Sequence, residues 1–347
     1  MTLALAPGTT EAWDLLRRYR LLTGPRVRLA VDGLAEPVRT VALFHFGWCD
    51  ENGRPADDGW GKGVRGALVL AAAQAVGGPA DQALSSAAAV ELVHNFSLLH
   101  DDVMDGDRMR RGRRTAWSVF GEAQAVLAGD ALLALALDTL ASAPAPPAVN
   151  SAATRELCRA LLELVTGQGH DLAFERRGRV GLDECLAMAA GKTASLLAGA
   201  CALGALSAGA APHQVAGVRG FGHHLGLVFQ LVDDLLGIWG DSRSTGKVTG
   251  GDLRRRKKSL PVVAALNSGS EAGRRLADLY GGAGPLDEDQ VARAALLVEE
   301  AGGRDWAERE AARRWEHAVE QLSRAGLGAE AARGLLALAG LVTRRDR

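Results

Sequence analysis

Covalent ties and large charge fields are scarce in this chain. Four cysteines, Cys49, Cys158, Cys185 and Cys201, are scattered over 347 residues without a CxxC pair. A zinc site or disulfide framework is therefore not expected, and the thiols read as reduced, in a cytoplasmic protein. Formal net charge is only −1, so no global field favours nucleic acid or an anionic membrane surface. Apolar runs are broken by Gly, His or Asp before the roughly 20 residues a spanning helix needs. The chain is thus not expected to be integral to a membrane. Residues 1–8 lack the basic region and long apolar stretch of a signal peptide. Extended strand-like alternation is missing too.

What is present is helix pattern. Ala, Leu, Glu and Arg are abundant, and apolar residues recur at three-to-four spacing. The expectation is an all-α, single-domain helical bundle over 1–347 with a central active-site cavity. Its motifs fall within about 48–266, and packing helices fill 267–347. Predicted helices include Thr10–Leu22, Gly63–Val76, Ala80–Asp101, Trp117–Ser142, Leu182–Leu206 and Pro212–Ile238. Asp50–Lys62 reads as coil, Ala143–Val149 as a proline-rich connector, and Gly240–Lys258 as a mobile lid.

Two acidic clusters stand out. Asp101, Asp102 and Asp105 follow the apolar run Glu91–Leu99, and Asp233 and Asp234 follow another in Gln230–Gly237. Residues four apart share a helix face, so Asp101 and Asp105 point the same way. Carboxylates held like that repel each other unless a cation lies between them. Oxygen ligands suit Mg²⁺, which takes a few carboxylates together with substrate phosphates. Basic residues gather beside both clusters: Arg108–Arg114 after the first, Lys247 and Arg254–Lys258 after the second, with Lys62 and Arg65 upstream. Arg and Lys bind phosphate directly. Such a site can hold one anion through metals and another through cations.

The ordered motifs resemble those of the trans-isoprenyl diphosphate synthases, the polyprenyl synthetase family. They are Gly61-Lys62-Gly63-Val64-Arg65, His94 with His100-Asp101-Asp102-Val103-Met104-Asp105, Arg110-Arg111-Gly112, and Gly167-Gln168 with Asp171. Gly191-Lys192-Thr193-Ala194, Gln230 with Asp233-Asp234, Thr245-Gly246-Lys247 and Lys257-Lys258-Ser259-Leu260-Pro261 follow. The resemblance implies an isoprenoid synthase bundle, a likeness to geranylgeranyl diphosphate synthase, and a homodimer. It implies about three Mg²⁺ ions, two on Asp101 and Asp105 and one on Asp233, with Asp102 and Asp234 in support. Arg110, Lys192 and Lys247 would grip the allylic diphosphate, with Thr193 and Gln230 along its path. Lys62, Arg65, His94 and Arg111 would hold isopentenyl diphosphate, and Lys257 or Lys258 would close the lid.

Phe96, five residues before Asp101, would floor the elongation cavity. With two residues between Asp102 and Asp105, this pattern resembles a C20 synthase more than a bacterial farnesyl synthase. A plain core role for Phe96 stands beside that reading. His100, His223 and His224 read as structural, and Arg254, Arg255 and Arg256 as solvated lid residues.

The chain departs from the family pattern at Gly66 and Arg114, where proline is usual, and at Gly237, where a third Asp is common. Gly66 is expected to loosen its helix and Arg114 its loop, while Trp117 has no account at this level. A class I terpene cyclase, a farnesyl diphosphate synthase and a non-catalytic partner subunit are the competing readings. The second set of cations, at Lys62, Arg65, His94 and Arg111, speaks against the cyclase.

Overall fold

The computed structural model describes residues 9–57, 59–240 and 250–343. Helices dominate them, as the periodicity predicts, and the differences lie at their ends. Helix α1 runs Thr9–Asp32, well past Leu22, with Pro25 inside it. Helix α2, Val38–Phe46, was not expected; it ends in the left-handed glycine Gly47. Helix α3 is Val64–Ala75. A 3₁₀ turn, Ala80–Ala83, leads into α4, Leu84–Met104.

The basic loop after α4 forms a two-stranded ribbon, β1 (Met109–Arg110) against β2 (Arg113–Arg114). The helix predicted over Trp117–Ser142 is split at Gly121, whose φ of +89° ends α5 (Ala116–Phe120) before α6 (Glu122–Ala141). The proline-rich connector is shorter than expected. Pro147 opens α7, Pro147–Glu175, because a first-turn proline gives up no helical hydrogen bond.

Then come α8 (Leu182–Ala189), a π-helical turn (Ala190–Ala194), α9 (Ser195–Ser207) and α10 (Pro212–Trp239). The remaining helices are α11 (Gly251–Arg254), α12 (Leu260–Leu266), α13 (Glu271–Tyr280), α14 (Glu288–Glu300), α15 (Gly303–Arg324) and α16 (Arg333–Thr343).

Helices α3 and α9 are apolar on nearly every side and form the centre, as an all-round hydrophobic helix must. Helix α9 packs on α3, α7 and α10, while α4 lies along α6 and α10 along α15. Gly204 lets α9 approach α3 closely: a Cβ there would stand 2.1 Å from the Val69 carbonyl oxygen. A smaller apolar core, with Ile238, Leu253, Leu276 and Val298, joins the end of α10 to α11–α14.

Among the described residues two stretches, Glu122–Ala141 and Leu182–Ser207, do reach membrane-spanning character by length and composition, contrary to the run-by-run reading. The apolar window of the second is 72% buried inside the protein, which explains its composition as core.

Candidate active site

Asp101 and Asp105 sit at the C-terminal end of α4, and Asp233 and Asp234 in the last turns of α10. That is the negative end of a helix dipole, the unfavourable place for a carboxylate. Burial raises Asp101 to about 6, opposed by Lys192 and reinforced by Asp105. Asp105 is raised by desolvation, against Lys192, and with help from Asp107 and Asp171. Asp102 is 1% exposed and pushed up to about 6 by burial, against Arg110. Arg110 Nε donates to Asp102 Oδ1 at 2.5 Å, while the buried Oδ2 has no hydrogen-bond partner among the described residues.

Facing this cluster is an ion pair, Lys192 Nζ to Asp171 Oδ2 at 2.5 Å. Lys192 lies in the π-helical turn, a feature often found at functional sites. The turn fits because Gly167 on α7 and Gly191 touch backbone to backbone. A Cβ on Gly167 would lie 2.1 Å from the Lys192 nitrogen. Asp171 is the site residue that sequence reasoning left without a role. Its place three positions beyond the matched Gly167-Gln168 pair was the available signal.

From the same turn a polar chain runs to the second cluster. Thr193 Oγ1 donates to Gln230 Oε1 at 2.6 Å, and Gln230 Nε2 donates to Asp234 Oδ1 at 2.7 Å. The Leu260 backbone N–H, at the start of α12, donates to Asp234 Oδ2 at 2.9 Å. Asp234 is 2% exposed, and burial pushes it up to about 7.

Lys257 ties the two clusters together electrostatically. Burial pulls its proton affinity down, but Asp252, Asp234, Asp171 and Asp233 outweigh that and keep it charged. Its charge is also felt at Asp105. Lys258 points elsewhere, donating to the Phe174 carbonyl at 2.8 Å. Gly237 is bare for a steric reason: a Cβ there would meet Asp252 Oδ2 at 2.3 Å. The Asp252 carboxylate thus covers the position where many family members carry a third aspartate.

The lid arginines are not simply solvated. Arg254 pairs with Glu288 at 2.6 Å and Arg255 with Asp107 at 3.2 Å, while Arg256 donates to the Gly284 carbonyl. Asp107 adjoins the first cluster, so Arg255 bridges α11 to it. Lys247, expected on the allylic diphosphate, lies outside the described residues, as do Asp241 and Thr245.

The ribbon gathers the arginines. Its turn is Arg111-Gly112, both at positive φ (+53° and +76°), as a tight hairpin turn requires. Arg111 pays a steric penalty there that glycine would not. It is exposed by surface area, yet desolvation and then the neighbouring Arg110 lower its proton affinity. Gly61 makes room for it, since a Cβ there would lie 2.7 Å from an Arg111 terminal nitrogen.

Arg114 does not loosen this ribbon as expected; it donates to the Ser118 carbonyl at 2.6 Å. Trp117 gains an account as well. Its Nε1 donates to the Asp107 carbonyl at 2.8 Å and its ring carries the Arg108 guanidinium at 5.1 Å, pinning the loop.

Arg65 Nη1 lies 3.1 Å from His94 Nε2. Burial, then Arg65, Arg111 and Arg110, hold His94 well below its usual proton affinity, so it is neutral near pH 7. Lys62 does not join them by any direct contact: its Nζ lies 5.6 Å over the exposed Trp13 ring of α1. Gly66 does not loosen α3. Its N–H donates to the fully buried Glu91 at 2.7 Å, a bond that the usual proline could not make. Phe96, 7% exposed, packs edge-on against His100 with ring centres 4.8 Å apart.

Among the described residues no group of three or more His, Cys, Asp or Glu is arranged to hold a metal alone. The donor set is one of carboxylates at elevated proton affinity, with a buried orphan oxygen on Asp102 beside them. This chemistry fits Mg²⁺ bound by few carboxylates and completed by substrate phosphates.

Comparison with known proteins agrees with this geometry. A family model for polyprenyl synthetase matches residues 49–298. A geranylgeranyl diphosphate synthase of Mycobacterium tuberculosis is 48% identical over 96% of this chain and 93% of its own length. A (2E,6E)-farnesyl diphosphate synthase of the same species is 46% identical over 94% of this chain and 91% of its length. The crystal structure of a polyprenyl synthetase from Streptomyces coelicolor superposes with a TM-score of 0.90 at 47% identity, covering 95% of this chain and 98% of that one. Fold and site together define an all-α prenyl diphosphate synthase. The chain belongs to the polyprenyl synthetase family, and its activity is that of a trans-prenyltransferase.

Proposed function

We propose that this enzyme is a Mg²⁺-dependent synthase joining isopentenyl diphosphate to an allylic diphosphate of C5 to C15, ending at geranylgeranyl diphosphate and releasing pyrophosphate. The observation that carries the reaction type is the division of charge within one site. Desolvated carboxylates lie beside separate arginine and lysine groups, enough for two diphosphates held differently. Asp101, Asp105 and Asp233 hold the metal ions; Asp102 and Asp234 orient the clusters. Lys192, Arg110 and Lys247 grip the allylic diphosphate, with Thr193 and Gln230 along its path. Lys62, Arg65, His94 and Arg111 hold isopentenyl diphosphate, and Lys257 closes the site.

Bound Mg²⁺ supplies Lewis-acid stabilisation of the departing pyrophosphate. Lys192 and Arg110 take up the rest of the charge that grows as the allylic C–O bond ionises, where fixed cations in a dry cleft act most strongly. His94, neutral, offers the second diphosphate a hydrogen bond rather than a charge. The apolar wall around α3, α4 and α9 keeps water from the allylic cation. The double bond of isopentenyl diphosphate attacks that cation, and the proton it then loses passes to the released pyrophosphate.

The C20 end point rests on Phe96, a bulky ring one turn and a half before Asp101 on α4. A C15 product is the second reading, favoured by the farnesyl diphosphate synthase relative. The enzyme acts in the cytoplasm as a single-domain homodimer without nucleic acid. Exposed apolar side chains support the dimer: Val126 and Leu127 on α6, Leu162 and Val165 on α7.

The test is product sizing by gas chromatography–mass spectrometry after incubation with Mg²⁺, isopentenyl diphosphate and C5, C10 or C15 primers. A C20 alcohol after dephosphorylation, lost with chelator, supports the assignment, and longer products from Phe96→Ala place the cavity floor. A dominant C15 alcohol makes the enzyme a farnesyl diphosphate synthase. A cyclic hydrocarbon formed without isopentenyl diphosphate overturns the reading in favour of a cyclase.

A further inference from the structure

The cationic pocket extends beyond the residues assigned above. A cavity of about 270 Å³ is bounded by Arg110, Arg111, Arg113 and Arg114 of the ribbon, His45 of α2 and Arg20 of α1. Among the described residues Asp102 is the one carboxylate in its lining, and Arg110 already engages it. The positive field is strong enough to act on its neighbour. Burial, then Arg111, Arg110 and Arg113, bring His45 down to about 3.

Arg20 enters this cavity from a helix outside the segment that defines the family, residues 49–298. Its side chain crosses the glycine loop that carries Lys62. Cβ atoms built on Gly59 and Gly63 would each lie 3.5 Å from it, at a terminal nitrogen and at Cγ. The guanidinium lies 5.7 Å over the Trp60 ring, and Arg111 rests on Gly61 of the same loop. The Arg20 Nε is buried and has no hydrogen-bond partner among the described residues. A buried guanidinium nitrogen without an acceptor is costly, and its cost is removed by an anion. Two guanidinium groups flanking one glycine loop, with a single carboxylate among the described lining residues, supply the charge and forked donors that a diphosphate takes.

We propose that Arg20 is a further binding residue for the diphosphate of isopentenyl diphosphate, shared with Arg111. This rests on the assignment of Arg111 to that substrate. The geometry gives α1 a functional duty besides packing: it supplies a cation that the family-defining segment does not contain.

Steady-state kinetics with each substrate varied in turn provide the test. Arg20→Gln should raise KM for isopentenyl diphosphate about tenfold or more, the value of one charge-assisted hydrogen bond, with KM for the allylic primer within about twofold of wild type. Arg20→Lys, which keeps the charge and the stem over Trp60, should recover part of the loss. Arg17→Gln, an exposed change on the same helix, should do nothing. A KM for isopentenyl diphosphate that stays within about twofold in Arg20→Gln, while Arg111→Gln raises it, overturns the proposal for Arg20 alone. If Arg111→Gln also leaves that KM untouched, the assignment of the whole pocket fails. Should Arg20→Gln not fold, Arg20→Lys decides: unchanged thermal stabilisation by inorganic pyrophosphate and unchanged KM would overturn the proposal.

Discussion

The two aspartate pairs look alike in sequence but are held in different ways. In each, the second residue is the more deeply buried: Asp102 is 1% exposed and Asp234 2%. Asp102 is answered by a charge, Arg110, which sits on a ribbon lined with other arginines, and one of its oxygens has no hydrogen-bond partner among the described residues. Asp234 is answered by two neutral donors, the Gln230 amide and the Leu260 N–H, and both oxygens are used. The first pair is therefore wired to the arginine ribbon, the group proposed to handle substrate anions. The second is wired to the fold, because its partner is the first turn of α12. Burial raises both, Asp102 to about 6 against the Arg110 charge and Asp234 to about 7 against Lys257, with Asp252 and Asp233 pushing Asp234 further up.

That contrast can be broken by mutation. Asp101→Ala, on the open side of the first cluster, should have the largest effect. We expect kcat to fall by about 10²–10³-fold, the size of loss when one charge-stabilising group leaves a site. Single-turnover rates with saturating Mg²⁺ measure it.

The next two variants separate the pairs. Asp102→Asn should lower activity by about 10–100-fold, as loss of an orienting partner does, with little change in Tm. Asp234→Ala strands the Gln230 amide and the Leu260 N–H in a buried place. It should cost about 1–3 kcal/mol of stability, read as a lower Tm, along with activity. Equal Tm losses in the two variants would erase the distinction.

A pH experiment sharpens it further. Asp101, Asp102 and Asp234 hold their protons in the folded chain to about 6, about 6 and about 7, above the ordinary aspartate value. The unfolded chain loses these protons at lower pH, so between about 4 and 7 the folded state binds more of them. Their contribution to stability is present below about pH 4 and is lost as pH rises through 6 and 7. Without metal, Tm should therefore fall from about pH 5 to 7.5. Mg²⁺ with pyrophosphate should counter the fall, and its stabilisation should grow with pH as fewer protons need displacing. A metal effect independent of pH across that window would refute the link between proton and metal at these carboxylates.

The smallest expected effect is at Gly237. Gly237→Ala brings a methyl group to 2.3 Å from Asp252 Oδ2, the mobile end of a side chain that can swing aside. A cost of about 1 kcal/mol in Tm is expected, with a modest activity loss as Lys257 loses its strongest countercharge.

Much of this was legible in the residues. The helical period and the runs before each acidic pair set the fold class, and four-residue spacing put Asp101 and Asp105 on one face. Ordered Arg, Lys and His motifs carried the resemblance to the polyprenyl synthetase family, which the family match bears out. Helix α2 escaped because a nine-residue helix between a turn and a glycine has little period to read. The start of α7 escaped because a proline that forbids the middle of a helix is welcome at its first turn.

Departures from the family pattern could not be judged from the chain alone, since their meaning lies with neighbours far away in sequence. Gly66 needs Glu91, Gly237 needs Asp252, and Trp117 needs the Asp107 carbonyl.

Local sequence determined which segments are helices, which faces are apolar, and which residue types could meet diphosphate and metal, because these depend on spacing within one or two turns. Only the tertiary structure decided that Asp171 faces Lys192, that Lys257 spans both clusters, that Lys62 rests on Trp13, and that Arg20 stands in the arginine cavity. Those outcomes depend on how close two helices can come. Glycines at 167 and 191 let α7 meet the π-helical turn backbone to backbone, while those at 61 and 237 make room for the Arg111 and Asp252 side chains.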